Sequence, residues 1–260
     1  MITLRNPMPI RFSPVAHAAR RTVVATAFAL LSGIAITAPT LSAQSTSLVI
    51  GNAVDAFPAG PFGYDASGAA SVAMGQTFMR PVGPVCQTTC YLQNFSFWLG
   101  TSPSLATNPG NLQFRAYIAT WDDINGRAAN VQYVSQVMSG PTGPSQQYTF
   151  TAPSLSIAQG QRYVAFLSVV GLSTFVGTAT SDFDVVDGSQ HPYADGAWVF
   201  TNSGNTIGDL TSNSWDFAGD ASLQARFEAN FTSVVPEPSS FVLLAVGGLA
   251  FLVVARRREA

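Results

Sequence analysis

Leu223-Gln224-Ala225-Arg226-Phe227-Glu228-Ala229-Asn230-Phe231 alternates apolar and polar residues without a break. Successive side chains of an extended chain point to opposite faces, so a period of two sorts this run into a buried face and a wet one. Leu223, Ala225, Phe227, Ala229 and Phe231 take the first, and the stretch reads as one half-buried strand. Working outward, Leu112, Phe114, Ala116 and Ile118 alternate with Gln113, Arg115 and Tyr117, and Tyr91, Phe95, Phe97 and Leu99 repeat the pattern. Residues 163–170 are apolar but for Ser168 after the turn signal Gln159-Gly160-Gln161, which predicts a central strand covered on both faces. Further strands are expected over residues 70–78, 131–138, 147–150 and 196–200. Between them fall turn clusters such as Asn108-Pro109-Gly110, Asn125-Gly126 and Ser139-Gly140-Pro141-Thr142-Gly143-Pro144. No part of this body carries an apolar period of 3.6 over three turns. Many short strands with Gly- and Pro-rich turns predict an all-β fold, a jelly-roll-like β-sandwich over residues 44–233.

The two flanks obey different rules. Arg5, Arg11, Arg20 and Arg21 precede an apolar stretch over residues 22–36, and small residues lead up to Ala43. That three-part layout predicts a secretory signal peptide over residues 1–43, with an uncleaved anchor as the alternative. At the other flank, residues 239–255 run for seventeen positions without a charge. As a helix they would extend about 25 Å, a minimal membrane span. Arg256, Arg257 and Arg258 follow, a cytoplasmic stop under the positive-inside bias, which places the body outside the cytoplasm. Pro236-Glu237-Pro238 stands before the span, and its prolines impose an extended, stiff linker that a processing enzyme can reach.

These three parts, in this order, resemble the PEP-CTERM sorting signal of bacterial exported proteins. The resemblance covers residues 234–260. It implies that Pro236, Glu237 and Pro238 form the recognised motif and that a transpeptidase-like membrane enzyme, an exosortase, reads it. It also implies transient anchoring in the inner membrane, then release to the cell surface or to an exopolysaccharide matrix of the biofilm kind. If the tail is removed, the mature protein keeps no membrane helix.

The chain contains no lysine, and its body sets five arginines against twelve carboxylates. A surface of about −7 repels phosphate backbones, which excludes nucleic acid as a partner. Cys86 and Cys90 are the only cysteines, and in an exported chain such a close pair predicts a disulfide. Zinc would need about four ligands, and the body offers the single histidine His191.

Enzyme chemistry finds no assembled motif. There is no Gly-x-Ser-x-Gly, His191 is the sole candidate base, and Glu228 is the only glutamate of the body. No cofactor is expected, with one candidate exception: Asp182, Asp184 and Asp187, read as a loop before Gly188, could offer oxygen ligands to Ca²⁺ or could simply make turns. Three aromatics fall on predicted polar faces. Trp98 shares a face with Asn94 and Ser96, and Tyr117 and Trp121 share one with Gln113 and Arg115. Exposed rings there would stack on sugars, whereas covered rings would only pack. The expected function is that of a non-enzymatic exported protein of the envelope or matrix. The alternatives are a carbohydrate-binding module that uses these rings, and a secreted hydrolase.

Overall fold

In the computed structural model the alternating run is cut in two at Arg226. Residues Leu223–Ala225 pair with one neighbour and Phe227–Thr232 with two others, so what reads as one strand turns a corner in mid-run. The structure describes residues 47–53, 56–87, 89–172, 177–189, 193–217 and 223–233, all within the unit Ser45–Ala260. The predicted signal peptide and membrane helix, the motif residues Pro236, Glu237 and Pro238, the stop Arg256, Arg257 and Arg258, and His191 lie outside the described residues. Among the described residues no helix is long and apolar enough to cross a membrane.

The described strands are β1 (Ser47–Gly51), β2 (Phe57–Tyr64), β3 (Ala73–Met79), β4 (Tyr91–Gly100), β5 (Gln113–Asp122), β6 (Arg127–Val134), β7 (Met138–Ser139), β8 (Gln146–Ser156), β9 (Arg162–Ser168), β10 (Ala179–Asp187), β11 (Trp198–Thr201), β12 (Asp216–Phe217), β13 (Leu223–Ala225) and β14 (Phe227–Thr232). One short helix, α1 (Ile207–Ser212), lies between β11 and β12. The strands form two antiparallel sheets. The first runs β1-β14-β4-β10-β13, with β8 also on β4 and β2 on β10; the second runs β12-β11-β3-β9-β5-β6, with β7 on β5. Two antiparallel sheets with almost no helix agree with the expected β-sandwich.

The core between the sheets is unusually aromatic, and it follows from the period of two. Phe95, Phe97, Phe183, Phe227 and Phe231 face inward from the first sheet, and Phe78 and Phe114 from the second. Rings bridge the two, with Phe78 and Phe227 centred 5.9 Å apart and Phe62 and Phe114 at 6.0 Å. Each fully buried phenylalanine contributes about 2–3 kcal/mol of transfer free energy, so this layer is the main stabilising element.

A second apolar cluster covers the opposite face of the second sheet. Tyr117, Ala119 and Trp121 of β5 and Val164 and Phe166 of β9 meet Leu210 of α1 and Trp215. Strand β9 therefore buries Tyr163, Ala165 and Leu167 on one face and Val164 and Phe166 on the other, as its apolar run predicts.

Two elements depart from the alternation. In β4 the inward residue is Leu92, not Tyr91, because the register shifts between Leu92 and Asn94 and resets the faces around Gln93. Strand β10 contains the segment expected as an aspartate-rich loop. It is a buried strand, with Phe183 and Val185 turned into the core and Asp182 and Asp184 on the other face.

Candidate functional site

At one end of the first sheet, Cys86 and Cys90 form the predicted disulfide, with Cα atoms 4.7 Å apart. The bridge closes the short connection from β3 to β4, and both cysteines are buried. Neighbouring groups tie this loop to the rest of the end. The Arg80 guanidinium donates to the Cys86 carbonyl, the Ile157 N–H donates to the Cys90 carbonyl at 2.8 Å, and the Thr89 hydroxyl donates to the Ser233 carbonyl at 3.0 Å. Ser233 directly follows β14, so the last bond pins the chain where it leaves the sheet. An open cleft of about 390 Å³ lies alongside, with Arg80, Pro81, Val82, Cys86, Gln87 and Gln159 among its walls.

The aromatics proposed for sugar stacking do not form a platform. Tyr117 is 3% exposed and Trp121 4% exposed. The Tyr117 ring stacks on Phe166 at 4.9 Å, and Trp121 packs edge-on against Trp215 at 6.0 Å. The polar neighbours Gln113 and Arg115 suggested an open face, but α1 and the segment around Trp215 cover it. Trp98 does lie on the outer face of the first sheet, yet it is 8% exposed, with the Arg226 guanidinium 4.6 Å from its ring centroid. That face is sealed by a cation resting on the indole.

The aspartates are likewise already committed. The Asp184 carboxylate accepts from Arg226 Nη1 at 3.1 Å and from the Ser145 hydroxyl at 2.7 Å. Asp182 accepts from the Ser102 N–H at 2.7 Å, and burial pushes its carboxyl above the ordinary value. Asp187, at the end of β10, accepts from the N–H and hydroxyl of Ser189, a local turn. The expected calcium loop is thus a strand whose carboxylates have other partners. Among the described residues no three His, Cys, Asp or Glu side chains gather closely enough to hold a metal ion.

What the outer face holds instead is a closed network of Trp98, Arg226, Asp184 and Ser145. Arg226 and Ser145 are the members that sequence reading does not single out. Arg226 appears there only as one polar position of an alternating run, and its partners lie 42 and 81 residues away. The corner at Arg226 is what turns its side chain across β10 and β4, and no local pattern announces a corner.

Among solved structures, the chain is similar to the cysteine protease and lectin-like domains of Cwp84, a surface layer associated protein of Clostridium difficile, at 10% identity and a TM-score of 0.38 over 63% of this chain and 32% of that one. It is also similar to the clostridial cysteine protease Cwp84 after propeptide cleavage, at 10% identity and a TM-score of 0.39 over 72% of this chain and 40% of that one. The chain spans 32% and 40% of the length of these structures. No curated protein matches it in sequence. The PEP-CTERM protein-sorting motif matches residues 234–258, and the chain therefore carries a sorting segment of the kind that implies export across the membrane to the cell surface and an exosortase-type membrane enzyme.

Proposed function

We propose that this chain is a non-enzymatic exported β-sandwich, handed to the cell surface or to an exopolysaccharide matrix when an exosortase-type enzyme removes its C-terminal handle. The sorting motif at residues 234–258 is the observation that carries this reading. Several features of the body support a structural role. Both cysteines are joined in a disulfide, so neither is a thiol nucleophile. The three aspartates read as a calcium site, Asp182, Asp184 and Asp187, already accept from Ser102, from Arg226 and Ser145, and from Ser189. Sugar stacking through Trp98, Tyr117 and Trp121 lacks an open ring face.

Intact-mass analysis of the surface fraction tests the proposal. In a host with an exosortase, the wild-type chain should lose the residues beyond the motif and leave the membrane fraction. Replacing Pro236, Glu237 and Pro238 together by alanine should keep the tail and hold the protein in the membrane. A wild-type chain that retains its tail in that host would overturn the reading.

A further inference from the structure

The end of the sandwich from which the tail emerges has its own chemistry. Thr232, the last residue of β14, pairs with Ser47 on one side and Tyr91 on the other, and Tyr91 pairs with Ser156. The starts of β1 and β4 and the ends of β8 and β14 therefore meet at one edge, together with the disulfide loop. The segments that build it, residues 47–51, 81–92, 153–161 and 229–233, contain no charged side chain, although the body as a whole carries seven more negative than positive groups. Among the described residues lining the cleft Arg80 is the one cation, and it donates to the Cys86 carbonyl. Val82 stands on this surface 97% exposed.

Chain length decides what this surface meets. Four residues lead from Thr232 to Pro236, and at about 3.3–3.6 Å per residue they reach no further than about 14 Å. The Thr89–Ser233 hydrogen bond and the disulfide fix the exit point, so little additional slack comes from the body. An enzyme that holds Pro236-Glu237-Pro238 must therefore bring its own surface against this end. We propose that this end, nearly free of charge and including Val82 and the cleft of Arg80, Pro81, Gln87 and Gln159, is a docking surface for the membrane-embedded processing enzyme. A patch nearly free of charge suits that contact, because its burial involves only the Arg80 guanidinium, which already donates to the Cys86 carbonyl. Recognition then has two parts, the linear motif and the folded end behind it. This inference rests on the tail being processed as proposed above.

The test follows the rate of tail removal by pulse-chase of the full chain in an exosortase-bearing host. Val82→Asp adds a charge at a fully exposed site and should slow removal about fivefold, as loss of one central interface contact does. Ser104→Asp, in the exposed loop beyond the other end of β4, should leave the rate unchanged. Six Gly/Ser residues inserted after Ser233 should free the enzyme from the end and return Val82→Asp to the wild-type rate. Thermal melting of the Val82→Asp chain checks that it folds. Equal rates for Val82→Asp and wild type, or a defect that persists with the longer linker, would overturn the docking surface while leaving the processing itself intact. A wild-type tail that is never removed would instead refute the proposed function, and the docking surface with it.

Discussion

Asp182 is a carboxylate held almost wholly out of water, with a backbone N–H from Ser102 as its short-range compensation. Burial is the main cause of its raised pKa, the Ser102 hydrogen bond opposes it, and the nearby Asp184 charge adds to it. In the window between the ordinary value and the raised one, the folded chain keeps a proton that the unfolded chain has released. The contribution of Asp182 is therefore fully present below the ordinary carboxyl value and declines as pH rises through the raised one. Asp182→Asn keeps an oxygen to accept from Ser102 and removes the charge. Its melting temperature relative to wild type should move in the variant's favour between about pH 4 and pH 7, and a constant difference across that range would refute the account. At this scale the sequence shows an aspartate two positions from another. It does not show which of them an arginine reaches, because Arg226 approaches Asp184 from 42 residues away.

Helix α1 shows what a short element can do. Its six residues are too few for any apolar periodicity, yet Leu210 seals the cluster that hides Tyr117 and Trp121. Its start is a capping box, in which the Thr206 hydroxyl accepts from the Asp209 N–H and the Asp209 carboxylate accepts from the Thr206 N–H. Hydrogen bonds to the Asp209 carboxylate, first from the Asn205 N–H and then from Thr206, hold it below its usual value. Thr206→Ala should destabilise the chain by about 1 kcal/mol, and tryptophan emission should shift to the red as α1 frays away from Trp215. Unchanged stability and emission would mean that packing alone holds the helix. The Thr206-x-x-Asp209 spacing is visible in the sequence, but what the helix covers is not. Two rings on a polar-looking strand face are open or shut according to an element about ninety residues further along the chain.

For the whole molecule, the disulfide and the exit of β14 act together. Replacing both Cys86 and Cys90 by serine should cost about 2 kcal/mol, the chain-entropy value for so small a loop, read as a drop in the denaturant midpoint. A larger loss would mean that the bridge also holds the β14 exit through Thr89 and Ser233. The sequence by itself determined the period-two strands, the twice-buried β9, the close cysteine pair and the sorting segment. Each of these is a local pattern, read within a few residues by backbone geometry, covalent reach or an enzyme that recognises a linear motif. Tertiary structure alone decided the corner at Arg226, the burial of β10 with its aspartates, the covering of Tyr117 and Trp121, and the gathering of four uncharged segments around Thr232. These are contacts between residues far apart in the chain. They depend on which strand lies beside which, and a local pattern of side chains carries no information about its distant neighbours.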